Sequence, residues 1–228
     1  MKGVHFDDYA ENYDAALDEA IGVSGEGKEF FARGRLTWLA RRLPAGGHQR
    51  VLDFGCGTGD TAPLIVELLG ATRVIGVDVS ARSIERARET HRSERISFVT
   101  TGEYRPGADL DLAFCNGVFH HIPPAERPAA VDCVRASLRP GGLFALFENN
   151  PWNPATRFVM SRCEFDRDAI TLPPPETRRL LRDRGFEVLH TDFLFIFPRP
   201  LRWLRWTEPP LCRLPLGTQY LVLARNAG

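Results

Sequence analysis

The chain has 228 residues, with 29 lysines and arginines against 29 aspartates and glutamates, so its formal net charge is zero. That balance argues against a protein whose main task is gripping nucleic acid or an anionic membrane with one broad cationic face. No apolar run approaches the ~20 residues needed to cross a bilayer, and a chain of this length buries about 72% of its surface on folding, enough for one domain without staples.

The zero hides a polarity. Residues 1–30 hold 2 bases and 8 acids, whereas residues 157–228 hold 12 bases and 8 acids. The opening Met1-Lys2-Gly3-Val4-His5-Phe6-Asp7-Asp8 turns acidic where a signal peptide carries its apolar core, so a cytoplasmic enzyme is expected. Five widely spaced cysteines, Cys56, Cys115, Cys133, Cys163 and Cys212, form no CxxC pair. Reduced thiols are expected, with neither a disulfide framework nor a metal site.

In chain order, residues 5–20 and 28–43 read as two helices, the second offering Phe30, Phe31, Leu36, Trp38, Leu39 and Leu43 for packing. Residues 50–54 then form a buried strand ending in a glycine loop, followed by a helix over 61–69, a strand over 73–77 and a helix over 80–90. Ser80 is the expected N-cap of that last helix, and Ile84 and Ala87 face inward. Strands over 96–100 and 110–115 follow. A helix over 126–138 is closed by Arg139-Pro140-Gly141-Gly142, and a fifth strand covers 143–148. This alternation is that of βαβ units, with the strand C-termini along one edge. It breaks at 149–175, which carries Asn149-Asn150-Pro151, Pro154 and Pro173-Pro174-Pro175 and is expected to lie over the strand ends as an inserted acceptor-side segment. A helix over 176–184 capped by Gly185, a strand over 186–197, a proline-punctuated excursion over 198–215 and a last strand over 219–224 complete one domain over residues 1–228. The last two strands pair as a hairpin, so the sheet is mixed at one end.

The strongest motif is Val51-Leu52-Asp53-Phe54-Gly55-Cys56-Gly57-Thr58-Gly59. Glycines between a strand and a helix let backbone N–H groups approach a ligand that a Cβ would block. Asp78, ending the second strand, is positioned to accept hydrogen bonds from both ribose hydroxyls. A dinucleotide fingerprint would need glycine where Asp60 stands, and a carboxylate there repels a pyrophosphate. Asp53 is likewise suited to an amino group. The expected ligand has a ribose, a cationic end and no phosphate.

Taken together, these residues resemble the class I S-adenosylmethionine-dependent methyltransferases, from the glycine loop through Asp78 to Arg139-Pro140-Gly141-Gly142 and the fifth strand. Phe6-Asp7-Asp8-Tyr9-Ala10-Glu11-Asn12-Tyr13-Asp14 is similar to the FDxxAxxYD opening of the subgroup containing quinone and small-molecule methyltransferases. The resemblance implies a three-layer αβα Rossmann-like fold, its seven-stranded sheet mostly parallel with an antiparallel last strand. It implies that Asp53, Gly55, Gly57 and Gly59, with Cys56, hold the methionine moiety, and that Asp78, beside Val79, holds the ribose. Thr101 and Gly102 would border the adenine, and Asn116 with Gly117 would lie near the sulfonium. Tyr9 and Tyr13 would close the site from a helical lid over residues 1–45. Many relatives place an aspartate after the third strand; this chain has Thr100-Thr101-Gly102-Glu103, so adenine contacts are backbone-only or involve Glu103.

Methyl transfer from a sulfonium is an in-line displacement in which alignment in a dry pocket supplies much of the catalysis. His121 and Glu148 are the catalytic candidates, though one of the paired histidines can equally be a structural hydrogen-bonding residue. His120, Asn149, Trp152 and Arg162 are the acceptor-side candidates. The expected partner is a small-molecule acceptor, anionic if the arginine-rich tail meets it, with no nucleic acid and no membrane, and the chain acting as a monomer or homodimer. Two alternatives stay open: an RNA or protein methyltransferase with a basic face from Arg157, Arg162, Arg199, Arg202 and Arg205, and an enzyme that cyclises the cofactor's side arm or cleaves another of its C–S bonds. The tail run Phe197-Pro198-Arg199-Pro200-Leu201-Arg202-Trp203-Leu204-Arg205-Trp206 suits a short amphipathic helix covering the sheet edge. A subunit or acidic-substrate interface, or a nucleic-acid or membrane face, is the alternative.

Overall fold

The computed structural model describes residues 22–44, 49–163 and 169–228, apart from the side chain of Val23. Strands β1 (Arg50–Phe54), β2 (Arg73–Asp78), β3 (Ile96–Thr100), β4 (Leu110–Asn116), β5 (Leu138–Asn149), β6 (Phe186–Leu194) and β7 (Gln219–Asn226) form one sheet in the order β3-β2-β1-β4-β5-β7-β6. The first five strands are parallel, and β7 runs antiparallel to both β5 and β6. The strand order reverses between β1 and β4, and such a switch point opens a crevice at the carboxyl ends of the strands.

The described helices are α1 (Lys28–Arg42), α2 (Thr61–Leu69), α3 (Ala81–Thr90), α4 (Arg127–Ser137), α5 (Pro154–Arg162), α6 (Pro174–Asp183) and the single turn α7 (Glu208–Leu211). Successive strand residues point to opposite faces, so Val51 joins one core and Leu52 the other. Leu36 and Leu39 of α1, Ala62 and Ile65 of α2, and Ile84 and Ala87 of α3 fill the first face. Val131 and Val134 of α4 and Leu181 of α6 fill the second. The result is the three-layer αβα fold. Local signals set the helix limits: the Ser80 side chain accepts from the Ser83 N–H at the start of α3, and Gly70, at φ 70°, ends α2.

Helix α1 is fastened to the far edge strand. The buried Asp192 carboxylate of β6 accepts from Trp38 Nε1 at 2.9 Å and from Arg42 Nε at 2.6 Å. Residues 28–42 therefore belong to a packed layer, while residues 1–21 of the expected lid lie outside the described residues.

Four details differ from the sequence expectations. Arg139-Pro140-Gly141-Gly142 does not separate helix from strand: β5 begins at Leu138 and takes the four residues in as an irregularity opposite Leu110 and Leu112. No helix joins β3 to β4. β6 stops at Leu194 because Phe195 takes φ 62°, a left-handed conformation no strand continues through. The excursion after it contains a 3-10 rather than an α-helix, Arg199–Thr207, whose Leu204, Arg205 and Thr207 are half-buried and whose other residues are exposed. Among the described residues no helix is long and apolar enough to cross a membrane.

Candidate functional site

The glycine loop leaves β1 with Gly55, Gly57 and Gly59 at φ 77°, 53° and 83°. A Cβ on Gly55 would lie 2.2 Å from Val118 Cγ2, whereas one on Gly57 would meet nothing within 4 Å. Gly55 is thus demanded by the close approach of the loop after β4, and Gly57 by its left-handed backbone above open space. Asp78 ties this loop to the next crossover, its carboxylate accepting from Gly57 N–H at 2.8 Å and Ser80 N–H at 2.9 Å. A carboxylate offers about four acceptor positions, so these contacts are compatible with ribose hydroxyls as further donors. Val79, next in sequence, is 70% exposed despite being apolar.

Asp53 lies beneath the loop, buried, and its Oδ2 has no hydrogen-bond partner. Burial, aided by the like charge of Asp78 and partly offset by Arg35, pushes its carboxyl from the ordinary 3.8 up to about 7. A buried carboxylate oxygen without a donor is costly and marks where a cationic donor belongs. Asn116 Oδ1, at the end of β4, is also buried without a partner. Burial, with Asp53 and Asp78 nearby, pushes the Cys56 thiol up. An ammonium at Asp53, a ribose at Asp78 and an apolar ring face at Val79 match S-adenosylmethionine, so the residues present fit that cofactor. Thr101 follows β3 with its N–H on Asp78 O at 2.8 Å, and Gly102 is exposed beside it. Glu103 turns back onto the Thr100 N–H at 2.9 Å and the Thr100 hydroxyl at 3.0 Å, both through Oε2.

The histidine pair follows β4. His120, not His121, meets Glu148: Nδ1 lies 2.6 Å from Oε2, while the Phe119 N–H donates to Oε1 at 2.7 Å. Both residues are buried, and the two imidazole centroids are 4.1 Å apart. Buried Arg127 fastens the same loop, donating from Nε to Phe119 O and Ile122 O at 3.0 Å and from Nη2 to Ile170 O at 2.5 Å. Ile170 N–H returns to His120 O at 2.9 Å. The end of the 149–175 segment is thereby bound to the loop after β4.

Asn149 ends β5 opposite Gln219, the first residue of β7, whose Nε2 reaches Asn149 Oδ1 at 3.4 Å. Arg35 Nη1 donates to Gln219 Oε1 at 3.0 Å. Arg35, Gln219 and Arg127 were not among the sequence candidates. For Arg35 a signal existed: Phe31, Arg35 and Leu39 recur every four residues, on the buried stripe of α1. Asn150 proves structural, its amide holding Pro215 O and Gly217 O, and Asn153 caps α5. Trp152 stacks on Phe193 with centroids 6.4 Å apart. Arg162 lies over its own helix neighbour Phe158, and Arg205 is paired with Glu26 at 2.9 Å. Tyr9 and Tyr13 lie outside the described residues.

A family model described as a methyltransferase domain matches residues 52–144. Trans-aconitate 2-methyltransferase of Rhodopseudomonas palustris strain BisB5 is 34% identical over 128 residues, covering 56% of this chain and 49% of that protein. The chain spans about half the length of the curated relatives it matches. Among solved structures it aligns with a chain of the complex between the Haloferax volcanii Trm112 methyltransferase activator and a methyltransferase, at TM-score 0.68 and 17% identity, covering 100% of both. It also aligns with an S-adenosylmethionine dependent methyltransferase from Mesorhizobium loti at TM-score 0.61 and 23% identity, covering 85% of this chain and 99% of that one.

Proposed function

We propose that the chain, whose residues 52–144 match a methyltransferase-domain model, is a class I S-adenosylmethionine-dependent methyltransferase that methylates a carboxylate of a small anionic acceptor in the cytoplasm. The observation that carries methyl-donor binding is the buried, unpartnered Oδ2 of Asp53 beneath a glycine loop tied to Asp78. When bound, S-adenosylmethionine supplies an electrophilic methyl group on a sulfonium. Asp53 accepts from its ammonium, Asp78 from its ribose, and Val79 covers the adenine face, with Thr101 and Gly102 giving backbone contacts.

The acceptor class is supported by the trans-aconitate relatives and by the surplus of arginine over acid in residues 157–228. A carboxylate arrives deprotonated at neutral pH, so no base has to remove a proton from it. That suits a Glu148 whose two oxygens are engaged by Phe119 N–H and His120. Glu148 is a positioning residue that holds His120, and the His120–His121 pair with Asn149 forms the polar wall facing the acceptor. Catalysis then rests on alignment and exclusion of water, which are worth several orders of magnitude in rate.

The test is turnover with S-adenosylmethionine and trans-aconitate, then a panel of mono- and tricarboxylates, with products read by mass spectrometry. A methyl ester and S-adenosylhomocysteine are expected, with KM rising as salt is added. Methylthioadenosine as the product, or methylation of amines and phenols but of no carboxylate, overturns the reading.

A further inference from the structure

The 3-10 helix Arg199–Thr207 has no fully buried residue, and its Arg199, Arg202, Trp203 and Trp206 are exposed. With three residues per turn, side chains three apart share a ridge. Trp203 and Trp206, 68% and 78% exposed, form one ridge. Arg202 and Arg205 form the next, with Arg199 one turn earlier, before the break at Leu201 (φ −104°, ψ 19°). Arg205 is the anchor: it pairs with Glu26, donates from Nε to Phe197 O at 3.0 Å and lies 4.5 Å from the Phe30 ring centroid. Arg199 and Arg202 are exposed and, with Gly22, Gly25 and Pro200, line an open groove of about 490 Å³.

We propose that this helix docks on an anionic phospholipid surface, with Trp203 and Trp206 at headgroup depth and Arg199 and Arg202 on the lipid phosphates. Tryptophan and arginine also recur in protein–protein interfaces, so the interleaving alone does not choose between a bilayer and a second copy of the chain, and the choice rests on charge. The neighbouring carboxylates are already engaged, Glu26 by Arg205 and Glu208 by the Phe197 N–H. A headgroup layer accepts both groups at one depth, since indoles settle at the membrane–water interface and guanidiniums bind phosphates bidentately. Glu26, which holds Arg205, lies two residues before Lys28, whose Nζ reaches Asp60 beside the glycine loop at 3.0 Å. The docking surface does not depend on which acceptor is methylated.

The test is co-sedimentation of the full chain with phosphatidylcholine vesicles, with and without phosphatidylglycerol. Expected are pelleting with the anionic vesicles only, release by added salt, and quenching of tryptophan fluorescence by brominated lipid. Near an anionic surface each arginine is worth about fivefold in partitioning, so R199A/R202A should bind about 25-fold more weakly, and W203A/W206A at least about tenfold. Both double variants should keep the parent melting temperature and cofactor affinity, because the residues exchanged are exposed. No pelleting on either vesicle, or variants that pellet like the parent, overturns the proposal. So does a dimer in light scattering that W203A/W206A dissociates, which assigns the ridge to a second copy.

Discussion

Asp53 sets the stability of the cofactor-free protein against its affinity for the cofactor, and Asp53→Asn separates the two. The side chain keeps its shape and loses its charge. Burial raises the carboxyl from 3.8 to about 7, and each pH unit corresponds to about 1.4 kcal/mol, so holding Asp53 ionised costs the empty fold about 4 kcal/mol. The folded protein retains this proton more tightly than the unfolded chain does. Its contribution to stability is therefore complete below about pH 4, falls as the pH rises toward 7, and is level above that. The asparagine variant has nothing to titrate there. Whatever its constant offset from the parent, its relative stability should improve by about 4 kcal/mol between pH 4 and pH 8, a gain in melting temperature of about 10 °C over that range. Urea unfolding of both proteins at several pH values reads this difference, and calorimetry should show S-adenosylmethionine binding to the variant at least tenfold more weakly. A difference in stability that stays flat from pH 4 to pH 8 would refute the argument from burial.

The same group makes cofactor binding depend on pH: affinity should fall about tenfold per unit below pH 7, because the ammonium requires the ionised carboxylate, and a flat calorimetric profile from pH 5 to 8 would contradict it. Gly55→Ala should cost about 2–4 kcal/mol from its positive φ and its approach to Val118; adding Val118→Ala should restore the packing part only, as denaturant midpoints will report. Asp192→Ala strands Arg42 and Trp38 at the α1–β6 junction and should destabilise by about 3 kcal/mol, leaving the cofactor dissociation constant within about twofold. Glu148→Gln should lower kcat about tenfold or more through the placement of His120, again with cofactor affinity unchanged; weakened cofactor binding would show that Glu148 acts elsewhere.

Local chemistry explains what could be read from the chain alone. The glycine loop was legible because a strand, three left-handed positions and two carboxylates in phase leave few other uses for such a segment. Ser80 and Gly185 marked helix ends because one residue decides each. The antiparallel β7 followed from reading the last two strands as a hairpin and from the family resemblance. What stayed hidden depends on contacts remote in sequence. Arg35 reaches Gln219 across 184 positions, and Glu148 meets His120 across 28. Arg139-Pro140-Gly141-Gly142 carries every sign of a turn and is nevertheless absorbed into β5. The aromatic and arginine spacing of residues 199–206 reads as amphipathic in any helix, and only the three-residue period of a 3-10 turn separates indoles from guanidiniums into two ridges.

The place of β7 has a consequence for assembly. Among the described residues β6 pairs with β7 alone, and β7 lies between it and β5. As the chain leaves the ribosome, the five parallel strands can assemble first, and β5 then presents the bare backbone of a strand buried from Gly142 to Glu148 until residues 219–226 arrive. Exposed strand edges of this kind invite pairing with other chains. Yield in a cell should therefore depend on how quickly the last strand follows β6, and slow translation of that stretch would favour aggregates over folded protein.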